Sequence, residues 1–123
     1  MANMKTGILA VASHYESGGQ RAEMLISNAV KALEKKGVDT VVASKVVWDA
    51  ADAIDVCKQL KGAQVDSLTI ILSTWVTDSL LYVLVHEMQV PVVFWAVPYT
   101  ETFSIGCVQH FGSALATHGI PYE

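Results

Sequence analysis

Unbroken apolar runs of strand length alternate along this chain with stretches whose apolar residues recur at helical spacing. Residues 6–13 (TGILAVAS) form the first run, and its continuity predicts a strand buried on both faces. A loop, His14-Tyr15-Glu16, follows. Ser17 and Gln20 then stand at capping-box spacing, which predicts a helix opening at Ser17. Ala22, Leu25, Ile26, Ala29, Val30 and Leu33 form its apolar stripe, and Gly37 ends it. Residues 38–44 predict a second strand, and Asp49 predicts the cap of a helix reaching Leu60, with Gly62 near its end. Residues 68–73 (LTIILS) are a third strand. The polar loop 74–78 leads to a helix with Leu80, Leu81, Leu84, Val85 and Met88 on one face. Residues 91–97 (PVVFWAV) are the fourth strand, broken by Pro98. A last helix is expected to turn Ile105, Val108, Phe111 and Leu115 inward and to close at Gly119.

Four strand–helix units with short connections predict an α/β domain. Its expected form is a doubly wound parallel sheet in three layers (α/β/α), with helices on both faces and a strand order of about 2-1-3-4. Ile120-Pro121-Tyr122-Glu123 begin like a fifth strand and stop, so a truncated fifth strand beside the fourth is expected, and with it a natural polypeptide that continues. No repeat, low-complexity segment or linker divides residues 1–123, which read as a single domain.

Composition sharpens this picture. The chain is 52% hydrophobic and 16% charged, whereas soluble domains average about 25% charged. Too few charges remain to coat the helices, so a face buried against another subunit or domain is expected. A net charge of −4, with only Lys35-Lys36 adjacent among its basic residues, argues against a nucleic-acid partner. Cys57 and Cys107 are far apart and read as reduced, structural thiols suited to the cytoplasm. No signal peptide and no run approaching the ~20 residues of a membrane span is present.

In open α/β sheets, ligands bind beyond the carboxyl ends of the strands at the switch point. The loops there carry His14, Tyr15, Glu16 and Ser17; then Lys45 and Trp48; then Thr74, Trp75, Thr77 and Asp78; then Tyr99 to Phe103. For the order 2-1-3-4, the crevice is expected between the first and third loops. The turn Ser17-Gly18-Gly19 is a candidate anion cradle or only a helix start; it lacks the Lys and Thr of a P-loop and the GxGxxG of a dinucleotide site. His14 and Glu16 could join Asp78 or Glu101 around a metal, although HxE is a weak signal. His110 reads as a partly buried, hydrogen-bonded residue. Trp75, just past a buried strand, offers an indole for a sugar face or packs under a loop. Trp95 reads as core, and Trp48 as packing where the second strand turns into its helix.

Ser73-Thr74-Trp75 ending the third strand, followed by a helix and Val90-Pro91-Val92-Val93-Phe94, resembles the N-terminal domain of the L-fucose and L-arabinose isomerase family. So do Val11-Ala12-Ser13-His14-Tyr15 before a long helix, and Gly112-Ser113-Ala114-Leu115 with Gly119-Ile120-Pro121 at the close. The resemblance implies an aldose–ketose isomerase that uses a divalent metal, usually manganese. It implies metal ligands and proton-transfer acids in later domains of the same chain, so that this domain carries no cofactor and is inactive alone. It also implies a lid that reaches a neighbouring subunit's active site in a trimer or hexamer. Trp75, His14 and Tyr15 match positions that approach the sugar. The arginines that fucose isomerases carry near the first strand are unmatched apart from Arg21. The His-Gly-Asp-Arg stretch of arabinose isomerases is absent before Gly112, so the sugar is left open. The rival is a stand-alone flavodoxin-like module for a flavin, a phosphate or a small sugar. Its support is the loop 13–19, which lacks a run of hydroxyl residues. A signalling receiver would need acidic residues after the first strand and ending the third, where Ser13-His14 and Leu72-Ser73 stand instead.

Overall fold

The computed structural model describes residues 4–117, 119 and 123. Its elements run β1 (Lys5–Val11), α1 (Ala22–Glu34), β2 (Asp39–Val42), α2 (Ala50–Gly62), β3 (Ser67–Leu72), α3 (Asp78–Met88), β4 (Val92–Ala96) and α4 (Ser104–Thr117). The four strands form one parallel sheet in the order β2-β1-β3-β4. This is the doubly wound, three-layer, flavodoxin-like α/β arrangement that the alternating pattern predicts.

Strand composition follows position in the sheet. The central strands β1 and β3 are buried almost throughout, hence their unbroken apolar runs. β2 lies at an edge, is only four residues long and is partly exposed, hence its polar Asp39 and Thr40. Side chains alternate between faces. Leu9, Val11, Leu68, Ile70, Leu72 and Phe94 enter a core shared with α2, α3 and α4. Ile8, Ala10 and Ile71, with half-buried Trp95, enter a smaller core beneath α1. Three helices therefore cover one face and one helix the other. Trp95 is half-buried because it lies on the less covered face.

Helix ends follow local chemistry. Asp49 caps α2, its Oδ1 accepting the Asp52 N–H at 2.8 Å. Gln89, in the left-handed region at φ 51°, stops α3. Two expectations are corrected. Ser17 does not cap the first helix: the chain makes a single 3-10 turn, Gly19–Arg21, before α1 begins at Ala22, and the Gln20 side chain turns back to accept the Gly18 N–H at 3.1 Å. Ile105 is 47% exposed, because Ser104, Cys107, Phe111 and Leu115 form the buried stripe of α4 and Ile105 lies off it.

At the far edge, Glu123 donates its N–H to Val92 O at 2.8 Å and accepts the Phe94 N–H, the bonding of a parallel neighbour of β4. The rest of the expected fifth strand, residues 120–122, lies outside the described residues. Among those, no helix is long and apolar enough to cross a membrane.

Candidate functional site

Parallel strands deliver all four of their following loops to one edge, and the chemistry-bearing residues gather there. The crevice expected between the first and third loops is filled by the protein itself. Thr74 Oγ1 accepts the Ser13 N–H at 2.8 Å. Gly18, at φ +126°, lies so close that a Cβ there would stand 2.9 Å from Ser73 O. Filling the crevice leaves Ser73 Oγ and Arg21 Nη1 buried without hydrogen-bond partners among the described residues.

Glu16 is the polar centre of this packed edge. Its Oε2 accepts the Trp75 N–H at 2.7 Å and the Thr102 hydroxyl. The Phe103 N–H donates to Oε1 at 3.1 Å and to Oε2 at 3.2 Å. Burial alone would raise this carboxyl. The bonds from Thr102, Trp75 and Phe103 outweigh it and hold the group below its ordinary value near 4.5. Arg21 reinforces the same junction: it pairs with Glu101 and sits over the Tyr99 ring, 3.8 Å from its centroid. The loop after β4 is thus tied to the loop after β1 by two side chains.

With the switch point occupied, an open groove lies one step along, between the start of α3 and the first turns of α4. Its volume is about 780 Å³, and Trp75, Asp78, Phe103, Gln109 and His110 line it together with Thr77 and Ser79. Trp75 is half-buried and packs on the main core. The Phe103 ring lies against Gly106, where a Cβ would stand 2.2 Å from the ring, so glycine is required for that approach. His110 Nε2 and Asp78 Oδ2 are 3.0 Å apart across the groove; the imidazole is largely in solvent and the carboxylate is partly exposed. Cys107 also borders it through a buried thiol: burial pushes it up, which favours the neutral form, and Sγ donates to Val76 O at 3.5 Å. The groove therefore offers two aromatic surfaces and a ring of hydrogen-bonding groups, suited to holding a ligand that is apolar on one face and hydroxylated at its rim.

The predicted site residues divide. Trp75 lines this groove. His14 does not: its ring stacks on Trp48, with centroids 4.2 Å apart and planes at 8°, and Trp48 borders a smaller cavity of about 180 Å³ that shares Thr77 and Ser79 with the groove. Tyr15 is 87% exposed. In the turn Ser17-Gly18-Gly19, the Gly18 N–H is taken by Gln20 and Gly19 abuts the Trp48 ring, so Gly18 and Gly19 pack against the protein's own side chains. The candidate metal ligands are also separated. Glu16 is held by amides and a hydroxyl, Glu101 by Arg21 and Asp78 by His110. Among the described residues, no three His, Cys, Asp or Glu side chains gather as a metal site.

Sequence reasoning missed the pairing of Asp78 with His110, the place of Phe103 and the role of Glu16. The Phe103-x-x-Gly106 spacing was the one available signal, since glycine in a first helical turn marks a close approach. A scan of protein-family models and a search of curated proteins return no match to this chain.

Proposed function

We propose that this chain is the substrate-contacting, oligomer-forming N-terminal domain of a cytoplasmic, metal-dependent aldose–ketose isomerase of the fucose and arabinose type. The observation that carries the reading is the position of Trp75. The Ser73-Thr74-Trp75 motif places an indole at the carboxyl end of β3, in one groove with Asp78, Gln109 and His110. A sugar ring can lay its C–H face on an aromatic surface while its hydroxyls bond to carboxylate, amide and imidazole groups. Phe103 at 62% exposure and Ile105 at 47% stand beside the groove and supply apolar area for a neighbouring subunit.

In this reading the chain binds and orients the sugar and excludes water from it. A divalent metal of the kind the family uses would supply polarisation of the sugar oxygens. Among the described residues no three His, Cys, Asp or Glu side chains gather to hold it; the reading looks to later domains for its ligands, and no step is assigned to it on this chain.

The test is an NMR titration of the chain with L-fucose and L-arabinose up to ~100 mM, a range that captures weak single-domain affinities. Shifts confined to the Trp75 indole and to groove residues, lost in His110→Ala, are expected. The exposed Asp78–His110 pair contributes only about 0–1 kcal/mol to folding, so that variant stays folded. Neither sugar perturbing Trp75 or His110 would refute the reading. Sedimentation of the protein checks association, with self-assembly expected.

A further inference from the structure

Trp75 and Phe103, the two aromatic surfaces of the groove, both lie outside helix and strand. No sheet ladder fixes the Trp75 N–H, whose acceptors are Glu16 Oε2 at 2.7 Å and Thr102 Oγ1 at 3.1 Å. The Phe103 N–H lies just ahead of α4, and its acceptors are the two oxygens of the same Glu16. Thr102 completes the arrangement by donating its hydroxyl to Glu16 while accepting from Trp75. Glu16 itself comes from a third loop, 59 residues before Trp75 and 87 before Phe103.

We propose that Glu16 is the positioning residue of the groove: one carboxylate suspends the backbones of Trp75 and Phe103 and so sets the spacing of the two aromatic surfaces. The chemistry demands a carboxylate. Three donors converge on it, and an ionised carboxylate is acceptor-only, with about four lone-pair sites on two oxygens. A glutamine of the same shape would keep one acceptor oxygen and turn an NH2 group toward donors. Charge-assisted bonds to backbone N–H groups are also shorter and about twice as strong as neutral ones. Glu16 is not among the residues that line the groove; it acts through the residues it holds. Only the identity of the ligand rests on the isomerase reading.

The experiment uses protein labelled with 5-fluorotryptophan, whose three 19F signals report Trp48, Trp75 and Trp95 separately, with Trp75 identified from Trp75→Phe. Glu16→Gln should shift or broaden the Trp75 signal and leave Trp95, beneath α1, in place. Thr102→Val should do the same more weakly, and Thr102→Ser, which keeps the hydroxyl, should restore the wild-type signal. Val56→Ala, a core change in α2, lowers stability without touching the Glu16 cluster and should leave the Trp75 signal where it is. An unmoved Trp75 signal in both Glu16→Gln and Thr102→Val, or an equal movement in Val56→Ala, would overturn the proposal. Should Glu16→Gln fail to fold, the Thr102 pair decides alone. Titrating L-fucose and L-arabinose into the same proteins gives the second arm. A weaker affinity is expected in Glu16→Gln, by at most roughly ten- to 150-fold, the full effect of losing one charge-assisted bond. Wild-type affinity there, with Trp75 displaced, would overturn the claim that Glu16 governs binding. A wild type that binds neither sugar refutes the substrate reading, while the fluorine signals still decide the role of Glu16.

Discussion

Replacing Trp75 by alanine separates packing from recognition, because the indole packs on the main core and lines the groove that the proposed function gives to the sugar. A fully buried aromatic cut to alanine costs about 3–5 kcal/mol. Trp75 packs on the main core yet borders an open groove, so its truncation loses part of that sum. About 2–4 kcal/mol is expected, and at about 4 °C per kcal/mol for a domain of this length the Tm should fall by roughly 8–16 °C. Trp75→Phe keeps a ring in place and should hold Tm within about 6 °C of wild type. Binding is read separately, by sugar titration at a temperature where the alanine variant is folded. Loss of the stacking surface and the indole N–H should weaken affinity by about 1–3 kcal/mol, roughly five- to 150-fold. Thermal melting followed by circular dichroism and NMR titration of the three proteins provide the measurements. A Tm shift under about 3 °C would contradict the packing of the indole on the core. A large shift with unchanged sugar affinity would make Trp75 structural only and remove the observation on which the proposed function stands.

Other outcomes are equally specific. Gly18→Ala forces a Cβ into a backbone at φ +126° and to within 2.9 Å of Ser73 O, so urea unfolding should show a loss of about 2–4 kcal/mol; less than ~0.5 kcal/mol would mean that the two loops do not meet as described. Because the folded Glu16 carboxyl lies below its ordinary value near 4.5, its contribution to stability is complete above that value and fades as pH falls through the folded pKa. The stability gap between wild type and Glu16→Gln, followed from about pH 6 to about pH 3, should therefore narrow on acidification, and a constant gap would refute the assignment. The chain supplied with manganese and a panel of aldoses should show no turnover, and rates of about 1 per second or more would place the catalytic groups on this chain after all.

The architecture was legible in the sequence, since hydrophobic period is a local property that each segment carries alone. Continuous runs at β1 and β3 marked the central strands. The stripes of Leu80 to Met88 and of Phe111 with Leu115 marked covering helices, and Asp49 marked a helix start. Short right-handed connections restricted the sheet to a few doubly wound orders, of which the expected one, β2-β1-β3-β4, is observed. The gathering of Trp75, Asp78 and the residues around Phe103 at one edge followed from the same topology. Pairings between loops emerge only in the folded chain, because hydrogen bonds among residues 59 to 87 positions apart leave no periodic trace. Glu16 looked like a loop carboxylate that could bind a metal, and it is instead the acceptor on which two aromatic backbones hang. Ser17 had the spacing of a cap, yet Gly18 is drawn against Ser73 and the first turn winds as a 3-10 helix. His14 and Trp75 follow neighbouring strands, but His14 stacks on Trp48 and Trp75 faces α4. Local pattern fixes which residues reach an edge; the competition among their side chains for a few partners there fixes which of them meet, and that is settled only when the whole edge is packed at once.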